Sequence, residues 1–226
     1  MNIAELYDVQ AIERDFHLEK LLPILLADDN YPIDRKRLVL GKSDIFESKD
    51  NIASYVFAIE SGVSSVCMGN QIIDFAGSGD FIGLHGEGGT GKTRVSGRVI
   101  TDELIVWRFK FHDVLAKIMN IQEGYLYHYN YMMGIYRTHL KKMMAMRSDK
   151  QQRVLAFLQI LVEKSGQKDG PSDEFIKLPS FFTRKLLADY IKVSPMTLNT
   201  TIKQLEEERD IIVDDRFIYV RLYNTI

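Results

Sequence analysis

Hydrophobic positions along this chain change their spacing three times. Over residues 2–29 the apolar side chains Ile3, Leu6, Ile12, Phe16, Leu21, Leu22 and Leu25 fall at helical intervals, and a polar stop follows at Asp28, Asp29 and Asn30. From 31 to 108 the texture becomes β-rich. Short runs (RLVL at 37–40, YVFAI at 55–59, VSSV at 63–66, IIDF at 72–75, LIVW at 104–107) are separated by glycines at 41, 62, 69, 77, 79 and 83. Many short strands with regular turn signals predict a sandwich or barrel. Helix returns near Phe111, and Asn120 with Glu123 three residues on reads as a capping box. Beyond it Leu126, Tyr129, Met133, Tyr136, Leu140 and Met143 are spaced 3, 4, 3, 4, 3, the a/d pattern of a helix–helix seam. Such a stripe has two readings: one helix lying on its own β domain, or a dimerisation helix.

A further helix is predicted over about 149–165, with Val154, Leu155, Phe157, Leu158, Leu161 and Val162 apolar, followed by the turn-rich GQKDGPSD at 166–173. The end of the chain carries the densest local signals. Thr183 is a helix N-cap, with Leu186, Leu187 and Tyr190 or Ile191 turned inward; Lys192 and Val193 form a short turn. Ser194 is a second N-cap, and Pro195 stands at N1, where its missing N–H leaves no bond unmade. Leu198, Ile202 and Leu205 face inward from this second helix. Two β segments, IIV at 211–213 and FIYVRL at 217–222, complete a winged helix-turn-helix. The domain plan is therefore 1–120 for a β-roll, 121–146 for the long helix and 147–226 for the winged helix.

Charge and composition narrow the function. A net charge of -2 over 226 residues argues against indiscriminate coating of nucleic acid, which depends on neutralising phosphates. Within 150–226 there are 12 Lys and Arg against 11 Asp and Glu, so DNA specificity would have to come from few contacts. One cysteine, Cys67, excludes disulfides and multi-thiolate clusters within the chain, and it reads as a small buried hydrophobe. The five histidines have no metal-ligand spacing, so no metal site is expected. No run approaches a membrane span and no signal peptide is evident, so a cytoplasmic location is expected and no membrane partner.

The segment TRKLLADYIKVSPMTLNTTIKQLEEERDII at 183–212 resembles the DNA-binding signature of the Crp/Fnr family of bacterial transcription regulators. ESGVSSV at 60–66 and FAGSGDFIG at 75–83 look like that family's β-roll strands and glycine turns. This resemblance implies an α+β protein: an N-terminal antiparallel, jelly-roll-like β-roll similar to cyclic-nucleotide-binding domains, a long dimerisation helix and a C-terminal winged helix-turn-helix. It implies a homodimer on double-stranded DNA, with RNA polymerase as a further candidate partner, no catalytic residues and no required cofactor.

Departures from the family pattern matter. Members that bind cyclic nucleotides carry a ribose-binding glutamate after the glycine of FIG; here Leu84 follows Gly83. Thr93 and Arg94 align with the phosphate-binding Arg-Ser pair. Gly83, Leu84, Lys92, Thr93 and Arg94 mark the candidate effector region, for an unidentified small molecule not expected to be a cyclic nucleotide. Several N-terminal cysteines used by redox members are missing, and no axial haem histidine can be placed. In the recognition helix, Pro195, Met196 and Thr200 replace the family's two arginines and glutamate, and Lys192 replaces the turn glycine. The expected base-facing residues are Met196, Asn199, Thr200 and Lys203; Arg184, Ser194 and Thr197 are expected on phosphates. Asn suits adenine and the Met and Thr methyl groups suit thymine, so an A·T-biased, pseudo-palindromic site is expected.

One motif points elsewhere. GEGGTGKT at 86–93 satisfies the phosphate-loop pattern, with Gly86, Gly91, Lys92 and Thr93 in the required places. Its readings are a glycine-rich hairpin loop, a seat for an anionic effector, or a nucleotide-binding enzyme. A phosphate loop leads into a helix, whereas here RVSGRVITDELIVWRF comes next and reads as strand. A third function class is a small-molecule-binding protein whose helix-turn-helix meets another protein rather than DNA.

Overall fold

The computed structural model describes residues 9–28, 31–49, 54–85, 95–215 and 217–222. The chain divides into two compact units, Met1–Ile135 and Tyr136–Ile226.

Unit one opens with α1 (Val9–Asp15), a 3-10 turn (Leu18–Lys20) and α2 (Leu21–Leu26). The single helix expected over 2–29 is thus broken. His17 takes an extended conformation (φ -64°, ψ 139°), and its ring accepts the Glu19 N–H, which ends α1's continuation. Eight strands follow: β1 (Arg35–Gly41), β2 (Ile45–Glu47), β3 (Tyr55–Ser61), β4 (Ser64–Met68), β5 (Gln71–Ala76), β6 (Phe81–Ile82), β7 (Val95–Val99) and β8 (Glu103–Lys110). They form two four-stranded antiparallel sheets of order β1-β8-β3-β6 and β2-β7-β4-β5. That interleaved order is a jelly roll, two Greek keys wound together.

Strand alternation sets two cores. In β3, Phe57 and Ile59 point into the roll with Phe46, Ile82, Val95, Val99, Leu104 and Val106. Val56 and Ala58 point the other way, with Phe109 of β8, towards a helical layer of Leu21, Leu25, Phe111, Val114 and Ile118. The last three belong to α3 (Phe111–Met119). Inside the roll Gly97 pairs with Phe46 across β2–β7, and a Cβ there would run into the Phe46 ring. Gly97→Val should therefore lower stability by about 1–3 kcal/mol, the usual range for overpacking a filled core; an unchanged urea midpoint would refute that packing.

Asn120 does not open a helix. It caps the C-terminus of α3, its side-chain amide donating to the Ala116 carbonyl (2.8 Å), and Glu123 sits at φ 59°. A residue with positive φ cannot be the N3 member of a capping box. The long helix α4 starts later, Tyr125–Arg147, and its first half supplies Tyr127 and Tyr131 to the helical layer of unit one.

Unit two contains the second half of α4, then α5 (Lys150–Ser165), whose cap Asp149 accepts the Gln152 N–H at 2.9 Å. β9 (Phe175–Leu178), α6 (Arg184–Ile191), α7 (Pro195–Glu207), β10 (Ile211–Asp214) and β11 (Phe217–Arg221) complete it. The wing is a three-stranded antiparallel sheet of order β10-β11-β9, one strand larger than the hairpin expected. Among the described residues, no helix is long and apolar enough to cross a membrane.

Candidate nucleic-acid interface

Local chemistry builds the helix-turn-helix. Thr183 Oγ1 accepts the Leu186 N–H (3.2 Å) and starts α6. Lys192 ends it in the left-handed region (φ 63°, ψ 47°), the conformation a glycine would adopt without a Cβ penalty. Ser194 Oγ then accepts the Thr197 N–H (3.0 Å), and Pro195 occupies the first turn of α7. Leu198, Thr201, Ile202 and Leu205 are buried beneath α7, packed in a unit that also buries Phe157, Leu161, Leu187 and Ile191. At the far end Glu206 accepts the Val213 N–H (3.3 Å), and Gln151 donates to Glu208 (2.5 Å). These bonds hold α7 to the wing and to α5, and its acidic end is used structurally.

Opposite the buried face, Met196, Asn199, Thr200 and Lys203 are all exposed, Ser194 is exposed and Thr197 is half-buried. The structure thus brings the expected base-facing residues together on one side of α7. Arg184, at the start of α6, is half-buried. Its Nη1 is enclosed and has no hydrogen-bond partner among the described residues, burial lowers its pKa, and the charge of Glu206 works against that shift.

Sequence reasoning missed Lys142. This α4 lysine is 8% exposed, with its ammonium 5.1 Å from the centre of the Tyr190 ring, which also meets Phe157 edge-on at 5.2 Å. α4 thereby grips the first helix of the helix-turn-helix. A lysine at a buried position leaves no apolar trace, so spacing could not reveal it.

The stripe expected on α4 is only partly exposed. Leu126 is buried at 4%, next to Tyr127, and Met133 is half-buried, because α4's first half already serves the core of unit one. Tyr129, Tyr136, Leu140 and Met143 are exposed, joined by Tyr125 and Met132. The exposed row therefore begins one residue before Leu126. One face of α4 is spent on the roll, as the first reading expects, and another is left open.

In the candidate effector region, Gly83 has φ 90°, and a Cβ there would strike the Tyr55 carbonyl. Leu84 is 0% exposed within the helical-layer core. Its carbonyl lies 3.1 Å from His128 Nε2, and Tyr131 donates to the Phe81 carbonyl at 3.3 Å. Burial raises the Tyr131 hydroxyl pKa and lowers that of His85, to which neighbouring His128 adds. Lys92, Thr93 and Arg94, with the rest of the 86–93 motif, lie outside the described residues. Downstream of the motif the chain enters β7, a strand paired with β2 and β4 rather than a phosphate-facing helix. Among the described residues no group of three or more His, Cys, Asp or Glu is placed to hold a metal.

No family model matches the chain, and no curated protein matches it by sequence. Solved structures do. A cyclic nucleotide-binding domain containing protein from Listeria monocytogenes EGD-e superposes with a TM-score of 0.74 at 16% identity, covering 92% of this chain and 97% of that one. FixK2 from Bradyrhizobium japonicum gives 0.64 at 18% identity over 84% and 94%. A CooA mutant from Carboxydothermus hydrogenoformans gives 0.64 at 12% over 83% of each chain. At such identities the likeness is one of fold. The chain carries, in order, a β-roll, a long helix and a winged helix-turn-helix, and shares its fold with these structures.

Proposed function

We propose that this chain is a sequence-specific DNA-binding transcription regulator that acts as a homodimer and performs no catalysis. The observation that carries this reading is the exposed row Met196, Asn199, Thr200 and Lys203, opposite the buried Leu198, Ile202 and Leu205 on a helix capped by Ser194. A helix of this kind enters the major groove by its N-terminal turns. Arg184, half-buried at the start of α6, is the cation assigned to a backbone phosphate. Ser194 and Thr197 flank the same end of α7. The exposed apolar row on the second half of α4 (Tyr136, Leu140, Met143) is the surface assigned to the second protomer. Two helix-turn-helix units then meet two half-sites about one helical turn apart.

Effector control by a cyclic nucleotide does not fit. The Leu84 side chain is committed to the core and offers a ribose hydroxyl no acceptor.

The test is selection of duplexes from a random-sequence library, repeated with Asn199→Ala. The parent should recover an A·T-biased, two-fold symmetric site. The variant should lose preference at one base pair per half-site, at a cost of about 1–3 kcal/mol, because a bidentate amide–adenine contact is removed. An unchanged base preference would dismiss Asn199 from readout, and failure of the parent to enrich any duplex would dismiss the function itself.

A further inference from the structure

The exposed hydroxyl groups at the start of the recognition helix are engaged within the helix itself. Ser194 Oγ accepts the Thr197 N–H and shares a second hydrogen bond with Thr197 Oγ1 at 2.8 Å. Thr200 Oγ1 donates its one proton back to the Met196 carbonyl at 3.1 Å. With its proton committed, this exposed threonine offers an acceptor oxygen and a methyl group. One turn before it stands Met196, 81% exposed, more open to solvent than any other large apolar side chain among the described residues. It contributes to neither core of unit one and lies off the buried face of α7. Positions i and i+4 of a helix are neighbours on its surface, so the thioether and the methyl form one apolar patch. Asn199 projects beside that patch.

In the major groove, an unmodified duplex presents a single apolar group, the C5-methyl of thymine. Resting on the DNA-reading function proposed above, we infer that Met196 and the Thr200 methyl read the C5-methyl of a thymine in each half-site. Selection there is by apolar contact, while Asn199 reads an adjacent adenine edge. Thr200 carries no free hydroxyl proton to offer a base, so it cannot substitute for the charged, hydrogen-bonding side chains that read guanine. A side chain as exposed as Met196 gains its apolar burial only on the DNA, which ties its effect to sequences that bring a methyl against it.

The experiment uses the full chain and a symmetric duplex recovered by the random-library selection. Each thymine is replaced in turn by 2′-deoxyuridine, which keeps every hydrogen-bonding group and removes only the methyl. Loss of one buried methyl should weaken binding about fourfold, and about fifteenfold when both half-sites are changed. Substitution of thymines outside the half-sites should leave affinity as it was. Met196→Ala, at a position the fold does not bury, should narrow the difference between the thymine and deoxyuridine duplexes to the share left to the Thr200 methyl, and Met196→Leu should restore most of it. Equal binding of the parent to thymine and deoxyuridine duplexes at every half-site position would overturn the inference. So would a Met196→Ala protein that keeps the full thymine preference. If the parent enriches no duplex at all, DNA reading itself fails and this inference falls with it, an outcome distinct from tight but methyl-blind binding.

Discussion

Glutamate at both Leu140 and Met143 should leave a folded protomer that sediments as a monomer and no longer shifts its DNA site. These side chains are 40% and 65% exposed in the protomer, so its own core loses little when they change. Against a symmetry mate each would be buried, and full burial of a Leu or Met is worth about 1.5–3 kcal/mol. Counting only the fractions still exposed, two such side chains from each protomer amount to roughly 3–6 kcal/mol, and the new carboxylates would face one another across the seam. Dimerisation should weaken by about two to four orders of magnitude. DNA affinity follows, because one half-site lacks the effective-concentration gain of a linked pair, about 10²–10⁴-fold. Sedimentation, a thermal melt and a gel shift on one preparation separate the outcomes. A variant that melts like the parent and remains dimeric would remove α4 from the interface.

Replacing Leu84 by Glu should unfold much of unit one at neutral pH rather than install a ribose contact. The position is fully enclosed, in a core with Leu21, Val56, Phe81, Phe109 and Tyr131. An uncompensated charge left inside such a core costs about 3–5 kcal/mol, comparable to half of a domain's stability. The deficit should shrink on acidification, since a protonated carboxyl is cheaper to bury. Trp107, the single tryptophan, lies on β8 with its indole N–H donated to Glu60 at 2.7 Å, so its fluorescence reports on this unit. Calorimetry with cyclic AMP and cyclic GMP should show no specific binding at micromolar concentration by either protein. A Leu84→Glu protein as stable as its parent in urea, or one that gains cyclic-nucleotide binding, would mean that position 84 faces a ligand cavity.

How much of the fold was legible before folding depends on the range of the interaction. Ser194-Pro195 and Thr183 announce α7 and α6 because a cap acts on amides two or three residues away. The 3–4 spacing of Leu198, Ile202 and Leu205 identifies α7's inner face, and by elimination the outer face that bears Met196, Asn199, Thr200 and Lys203. Longer strands such as β3 and β8 were legible in their β-branched runs and flanking glycines. β2 and β6, of three and two residues, were not, since a period of two needs several repeats to register. β9 escaped notice behind the 166–173 loop, and it exists because β11 offers it an edge.

Tertiary packing decided the rest. Asn120 and Glu123 have the residue types of a capping box, yet a turn between α3 and α4 requires Glu123 at positive φ, and the motif has no helix to cap. Leu126 and Tyr129 are equally apolar in a heptad count. Only the roll determines that the first is enclosed while the second stays open. Leu84 gives no sign in sequence of whether it lines a cavity or fills a core, and Lys142 none that its ammonium would settle on Tyr190. By itself the sequence determined where α6 and α7 start, which way their faces point and which side chains are available for chemistry, because caps, turns and periodicity act over a few residues. Which apolar face is already covered was decided only by the fold, because hydrophobic burial has no direction and accepts any partner that excludes water.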